Sequence, residues 1–350
     1  MGTKSYVIWN NKGGVGKSTI TFHVATVYAQ KNPNQDVVLI DMCPQANSSM
    51  MILGGGKAGE LELQKLIAAA TPQTVVGYIT DCLIGNSPSV KNYLTNVSQV
   101  NNKITTNFYL LAGDGNLELI APLLSERANA RPISAQDKPW EKTYSVVKNL
   151  TDSQLNNDRD TVYFIDTNPS FSIYTEIAIL AGDRLLVPIN ADDSSIYAIT
   201  GLFNLIYGSQ TPHPIYGKYT FASIVNVNGM RRPHIYLLLG NRFTQKKGAA
   251  HAFKALSNEA TGKMWAEFNA ANKKHFRQIS KNITSLSDFE KEYTIELRDF
   301  NSAGVVAANL GIPLNAMDRH TYQVYGEDIQ VAKEQRDLCK STIEALVARL

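Results

Sequence analysis

Asn11-Lys-Gly-Gly-Val-Gly-Lys-Ser-Thr19 is the stretch on which the reading of this chain turns. Its glycines let the backbone curl until successive N–H groups face one anion, as in a phosphate-binding P-loop. Gly13, Gly14, Val15, Gly16, Lys17, Ser18 and Thr19 are the candidate cradle. Lys17 is spaced to reach β- and γ-phosphates, and the Ser18 hydroxyl to reach Mg²⁺. The flanks have the order such a loop requires. Ser5–Trp9 reads as a short buried strand before it. Thr19–Gln30 reads as a helix after it, with Ile20, Val24, Val27 and Tyr28 at helical spacing. The positive end of that helix then points at the anion.

Two further apolar runs end in an acid. Asp36-Val-Val-Leu-Ile-Asp41 and Thr161-Val-Tyr-Phe-Ile-Asp166 read as buried strands that deliver a carboxylate to the ligand-bearing edge of a sheet. Asp166 has the Walker B arrangement, whose carboxylate holds the Mg²⁺ shell. Between the two runs, helices are expected over Glu60–Ala70, Thr74–Leu83 and Leu117–Glu126, and a strand over Phe108–Ala112. Beyond Asp166, helix Ser172–Ala181, strand Arg184–Ile189 and helix Ser194–Gly208 add two α/β units. A strand is expected over Thr220–Val227.

Lys12 is not required by a generic P-loop. With it, the opening stretch resembles the deviant Walker A box of the ParA/MinD family of ATPases. Asp41-Met-Cys-Pro-Gln-Ala-Asn47 is similar to that family's D-x-D-P-Q-x-N. Thr167-Asn-Pro-Ser170 is similar to its D-x-P-P-S, with Asn168 in place of the first proline. The resemblance spans nearly the whole chain and is closest to ParA-type partition and cargo-positioning ATPases. It implies an α/β fold: a doubly wound, mostly parallel sheet of P-loop NTPase type, with nucleotide at the carboxyl ends of the strands. ATP and Mg²⁺ are the implied cofactors, with Ser18, Asp41 and Asp166 around the metal. Lys12, Lys17 and Asp41 are the implied catalytic residues. In the family the residue matching Lys12 crosses to the nucleotide of a second subunit, so an ATP-dependent homodimer is implied. So are non-specific DNA and a ParB-like adaptor that stimulates hydrolysis, in a cytoplasmic, nucleoid-associated protein. Family members read adenine with a polar side chain at a strand's end, which points to Asn226, with Asn228 the alternate. Asn228 before Gly229 equally suits a turn. The loop with Asp192 and Asp193 falls where the family has its dimer interface. Cys43 departs from the pattern by replacing the second aspartate, which the family ties to water activation. A thiol is a poorer acceptor than a carboxylate. Cys43 either packs as a small apolar group or slows turnover.

Composition bounds the remaining choices. The chain has 350 residues and no apolar run long enough to span a bilayer. Cys43, Cys82 and Cys339 lie far apart, which fits neither a disulfide framework nor a zinc site. The formal net charge is +3, but Arg231–Lys281 carries eleven Lys and Arg against two Glu. That asymmetry suits a polyanion-binding face. Arg231, Arg232, Lys246, Lys247, Lys273, Lys274 and Arg277 are the candidate DNA contacts. Aromatic residues are interleaved, so a solvated helical hairpin with its own core is the alternative. The span reads as largely helical. Residues 1–350 are accordingly expected to form one P-loop ATPase domain, with 231–285 a basic, insertion-like segment within it. The chain begins at its first strand, so no preceding helix-turn-helix domain is expected. The tail Asp328–Leu350 reads as a helix that packs on the domain, because its basic face is weak for membrane binding. The rival classes are a MinD-like membrane-associated ATPase, a metabolic P-loop enzyme and an iron–sulfur relative. The absence of paired cysteines disfavours the last.

Overall fold

The computed structural model describes residues 2–350 apart from residues 87, 191, 193, 210 and 244–257. Among the described residues, eight strands form one sheet. They are β1 (Thr3–Ile8), β2 (Asp36–Met42), β3 (Thr95–Asn96), β4 (Phe108–Leu111), β5 (Thr161–Thr167), β6 (Arg184–Asn190), β7 (His234–Phe243) and β8 (Thr294–Arg298). Their order is β3-β4-β2-β5-β1-β6-β7-β8. β3 runs antiparallel to β4, and every other pairing is parallel. The chain leaves β1 toward β2 on one side, then returns through β5 and crosses to β6 on the other. β1 is therefore the switch point, and the crevice outside its carboxyl end is where such folds bind ligands.

Helices cover both faces, which is why the central strands are apolar throughout rather than alternating. Side chains still alternate between two cores, as the strand period requires. Val38 and Ile40 of β2 enter one cluster and Val37 and Leu39 the other. The second cluster is closed by α1 (Lys17–Lys31), α2 (Asn47–Ile52) and α3 (Gly56–Ile67), together with two late helices. The first is closed by α4 (Val75–Leu83), α5 (Leu117–Ala128), α6 (Pro139–Tyr144), α7 (Val146–Thr151), α8 (Ile173–Ala181), α9 (Ser194–Leu202), α10 (Phe221–Val227), α11 (residues 258–267) and α12 (Leu286–Tyr293). The late helices are α13 (Asn301–Leu310) and α14 (Lys333–Val347). A hairpin, β9 (Thr321–Val324) and β10 (Glu327–Gln330), precedes α14. It turns at Tyr325-Gly326, both at positive φ. Asp328 thus lies in this hairpin rather than in the final helix.

Two expectations are corrected here. Thr220–Val227 is not a strand: Phe221–Val227 is helix α10, capped by the Thr220 hydroxyl, which accepts from Ser223 N–H. A short β-branched run carries no periodicity that separates strand from helix. The strand instead lies at His234–Phe243, inside the span expected to be largely helical. That span is therefore not an insertion from its start, because β7 pairs with both β6 and β8. The tail helix does pack on the domain: Cys339, Ile343, Leu346 and Val347 are buried, and Arg349 donates to the carbonyls of Glu292 and Thr294.

Candidate nucleotide-binding site

Beyond β1 the chain curls over the strand's end and enters α1. Gly14 and Gly16 have φ of 71° and 81°. Only glycine visits this region freely. At Gly16 a Cβ would also lie 2.5 Å from Asn241 Nδ2, whereas Gly13 and Gly14 face open space. No side chain caps α1, and its first turn holds no acid. Its leading N–H groups are thus left for an anion. Two residues brace the loop. Asn10 Oδ1 accepts from Lys12 N–H at 3.0 Å, while its Nδ2 donates to Pro188 O at 2.6 Å. Asn241, at the end of β7, donates to Val15 O at 2.8 Å.

Lys17 folds into this loop. Its Nζ donates to Asn10 O at 3.2 Å and to Lys12 O at 3.0 Å. Burial lowers its ammonium to about 8, against the opposing charge of Asp166. A phosphate seated in the loop would favour the charged form again.

Asp41 and Asp166 are register partners on β2 and β5, and both are fully buried. Asp41 is heavily bonded: Oδ1 accepts from Cys43 N–H at 3.0 Å, and Oδ2 from Ser49 N–H at 3.0 Å and Ser49 Oγ at 2.6 Å. Asp166 Oδ1 takes a long bond of 3.4 Å from Thr21, and its Oδ2, beside the Ser18 and Ser48 hydroxyls, has no well-formed hydrogen bond among the described residues. Burial, then the charge of Asp41, raises the Asp166 carboxyl. Burial likewise raises Asp41, against the bonds from Ser49. An orphaned buried carboxylate oxygen with hydroxyl neighbours suits a hard cation with oxygen ligands. No cluster of three or more His, Cys, Asp or Glu is placed to hold a metal among the described residues. Mg²⁺ needs none, since it takes one or two carboxylates and completes its shell with phosphate and water.

A cleft of about 530 Å³ opens above this edge. The P-loop forms its floor, Cys43, Gln45, Asn47 and Met50 one wall, and Thr167, Pro169 and Ala308 of α13 the rim. Its volume falls in the range of small-molecule sites. A larger cleft of about 700 Å³ lies between α4, α5, α6 and α7 and includes none of the P-loop. The smaller one is lined by the P-loop itself, with Lys17 as its charged side chain. Burial, then the charges of Asp41 and Asp166, pushes the Cys43 thiol up to about 12. It is neutral at physiological pH and offers no anionic acceptor.

Lys12 stands at the loop's mouth and forms an ion pair with Asp192, beyond the end of β6. Burial would raise the Asp192 carboxyl, but bonds from Lys12, Ser194 and Ser195 more than offset it and hold it low. Asp193 lies outside the described residues.

The sequence-predicted base contacts do not reach this cleft. Asn226 lies on α10 and accepts from Arg232, and Asn228 donates to Ile224 O at the end of that helix. Neither lines the cleft. The polar residue at the relevant strand end is Asn241, missed because β7 itself was not recognisable. The basic candidates also divide. Arg277 is built into the core over the Tyr236 and Tyr293 rings and bonds Glu292 O. Arg232 donates to Ala222 O. Arg231, Lys273 and Lys274 are exposed. Lys246 and Lys247 lie outside the described residues.

A family model described as an AAA domain, AAA_31, matches residues 3–211, more than half of the chain. The chain belongs to this family. The family groups P-loop ATPases of the ParA/MinD type. As a member, the chain carries the family's sheet, described above, with the P-loop at its switch point. A Methanocaldococcus jannaschii protein designated MJECL24, itself uncharacterised, is 27% identical over 198 residues, 56% of this chain. The chain spans 61% of that relative. Among solved structures, an ATP complex of a Cyanothece McdA variant has a TM-score of 0.59 at 14% identity, covering 99% of this chain and 96% of that one. The pnob8 ParA structure also has a TM-score of 0.59, at 15% identity and the same coverages. A Borrelia burgdorferi plasmid partition protein bound to AMPPNP has 0.54 at 16% identity, covering 99% and 100%. At these identities the likeness shows the fold.

Proposed function

We propose that this chain is a ParA-like ATPase that closes into a dimer on ATP, binds non-specific DNA and positions a cargo. The observation that carries this reading is Lys12, a second lysine at the mouth of a complete P-loop, held among the described residues by one half-exposed ion pair, to Asp192. Exposed pairs of this kind contribute only about 0–1 kcal/mol. Exchanging Asp192 for a phosphate of a second subunit's nucleotide therefore costs little. Gly13–Thr19 would bind the triphosphate through backbone N–H groups, with Lys17 on its β/γ oxygens. Ser18 and Asp166, with Asp41 behind them, would hold Mg²⁺. When bound, Mg²⁺ neutralises charge on the phosphate oxygens. Lys12 from the facing subunit adds charge stabilisation, the main resource in phosphoryl transfer. The neutral Cys43 leaves hydrolysis slow until an adaptor protein accelerates it, which prolongs the DNA-bound dimer.

Co-sedimentation with plasmid DNA and, separately, with anionic vesicles, each with and without ATP and Mg²⁺, tests the reading. ATP-dependent pelleting with DNA is expected. Pelleting with vesicles alone would favour the MinD-like alternative.

A further inference from the structure

Residues 194–258 contain no Asp or Glu but seven Lys and Arg. Within this acid-free span, the segment from Tyr207 to Pro233 gathers with the 272–274 turn. Ser209 Oγ bonds Asn272 Oδ1 at 3.1 Å. The Tyr207 ring stacks on His275 at 4.2 Å, and its hydroxyl donates to Pro233 O at 2.8 Å. The 217–219 turn leads directly into α10, and Arg232 ties the far end of α10 back to Ala222. Two acids beside this surface already have cationic partners. Asp183 is paired with Lys148 at 3.0 Å, and Glu267 with Lys263 at 3.0 Å.

Several donors project from it. Lys218, Arg231 and Lys274 are exposed and meet no carboxylate among the described residues. Tyr216 and Tyr219 are 59% and 68% exposed, and their hydroxyls have no partner among the described residues. Lysine, arginine and tyrosine are among the side chains that contact DNA phosphates, and such contacts carry no sequence information. The surface lies at the start of β7, where His234 N–H bonds Asp183 O and Arg277 N–H bonds Ile235 O. The other end of β7, at Asn241, braces the P-loop. At about 3.3 Å per residue, the seven residue steps from His234 to Asn241 separate the two by roughly 23 Å.

We propose that this surface, centred on Lys218, Arg231 and Lys274 with Tyr216 and Tyr219, is where the chain grips the phosphate backbone of double-stranded DNA. The proposal rests on the DNA-binding reading above and moves its location. Arg232 and Arg277 maintain the fold instead, and the contact lies at the sheet edge opposite the nucleotide. An anionic lipid surface fits less well. α10 has seven residues, too few for an interfacial helix with a broad apolar face. Among the described residues, its exposed Val227 and the exposed Ile215 are joined by no exposed Trp or Phe.

The test is fluorescence anisotropy with a 30-base-pair duplex, ATP and Mg²⁺, from 50 to 200 mM KCl. The wild type is compared with the triple variant Lys218→Glu, Arg231→Glu, Lys274→Glu. Affinity for a fluorescent ATP analogue serves as a fold and site control. The triple variant should keep its nucleotide affinity within about twofold. Its DNA affinity should fall at least twentyfold, and its salt slope should flatten by about 0.9 per lost phosphate contact. Tyr216→Phe and Tyr219→Phe, which keep the rings, should each weaken DNA binding about two- to fivefold. A wild type that binds DNA beside an unchanged triple variant overturns the location alone. A wild type that binds no duplex overturns both the location and the DNA reading. Vesicle binding lost in the triple variant, without duplex binding, would reassign the surface to lipid and overturn the proposal.

Discussion

Replacing Cys43 with aspartate should speed ATP hydrolysis. The thiol is almost fully buried at the nucleotide cleft, beside the Asp41 and Asp166 carboxyls. Pushed up to about 12, it is a thiolate in only about one molecule in ten thousand at pH 8. An aspartate there would be raised by the same burial and neighbours, yet it would still be largely ionised at pH 8. A positioned base contributes roughly 10²- to 10⁴-fold. Imperfect placement will forfeit part of that, so a rise of about tenfold, near 1.4 kcal/mol in the barrier, is the minimum expected. The third carboxylate also has a cost. A like charge at about 5 Å and an effective dielectric of 20 is worth about 3 kcal/mol. The nucleotide-free variant should therefore unfold at lower urea than the wild type, and ATP with Mg²⁺ should recover most of the loss. Single-turnover phosphate release gives the rate, and a fluorescent nucleotide gives the affinity. Cys43→Ser, similar in size and also neutral, should stay slow. Unchanged hydrolysis in Cys43→Asp, with ATP affinity retained, would refute the proposal that Cys43 limits turnover.

Other consequences are independent of catalysis. Gly55, at φ 72°, packs backbone to backbone against α13, and a Cβ there would lie 2.4 Å from Gly311 N. At φ 72° and ψ 163°, a region nearly confined to glycine, strain of about 1–3 kcal/mol adds to overpacking of about 1–3 kcal/mol, so Gly55→Ala should destabilise by about 2–6 kcal/mol in urea titration. Gly229→Ala, at φ 64° with open space around it, should incur only left-handed strain of about 1–2 kcal/mol. Equal losses would contradict the close approach. His23 is fully buried, and burial lowers its imidazole to about 3. The unfolded chain then binds the extra proton below about 6.5. The stability from the neutral ring is present above that pH and is lost as pH falls from about 6.5 toward 3, by up to about 1.4 kcal/mol per unit. His23→Gln should flatten this acid limb in urea titrations from pH 7 to 5; an unchanged slope would place the proton elsewhere.

The site was legible where a local pattern carries its own chemistry. The P-loop announces itself by glycine spacing, and β2 and β5 by apolar runs that end in Asp41 and Asp166. Both faces of those strands are buried, so nothing interrupts the signal. β7 was not legible, because its apolar core Ile235–Leu239 sits between arginines that mimic a surface helix. The β-branched Phe221–Val227 run then took its place in the reading and carried the base contact to Asn226. Contacts across long separations leave no pattern at all. Asn241 under Val15 and Asp192 beside Lys12 are set by neighbouring strand ends, which only the sheet order brings together. The surface ending at Lys274 is similar: its charges were visible, but which arginines are structural was not.

The central claim is that Lys12 makes the P-loop a dimer switch, and sedimentation velocity tests it most directly. Wild type and Lys12→Ala would be run with Mg²⁺ and either ATP or ADP, after each has been shown to bind the fluorescent nucleotide. The wild type should sediment as a dimer only with ATP, and Lys12→Ala should remain a monomer with nucleotide affinity within about threefold. A Lys12→Ala dimer that forms with ATP as readily as the wild type would contradict the account.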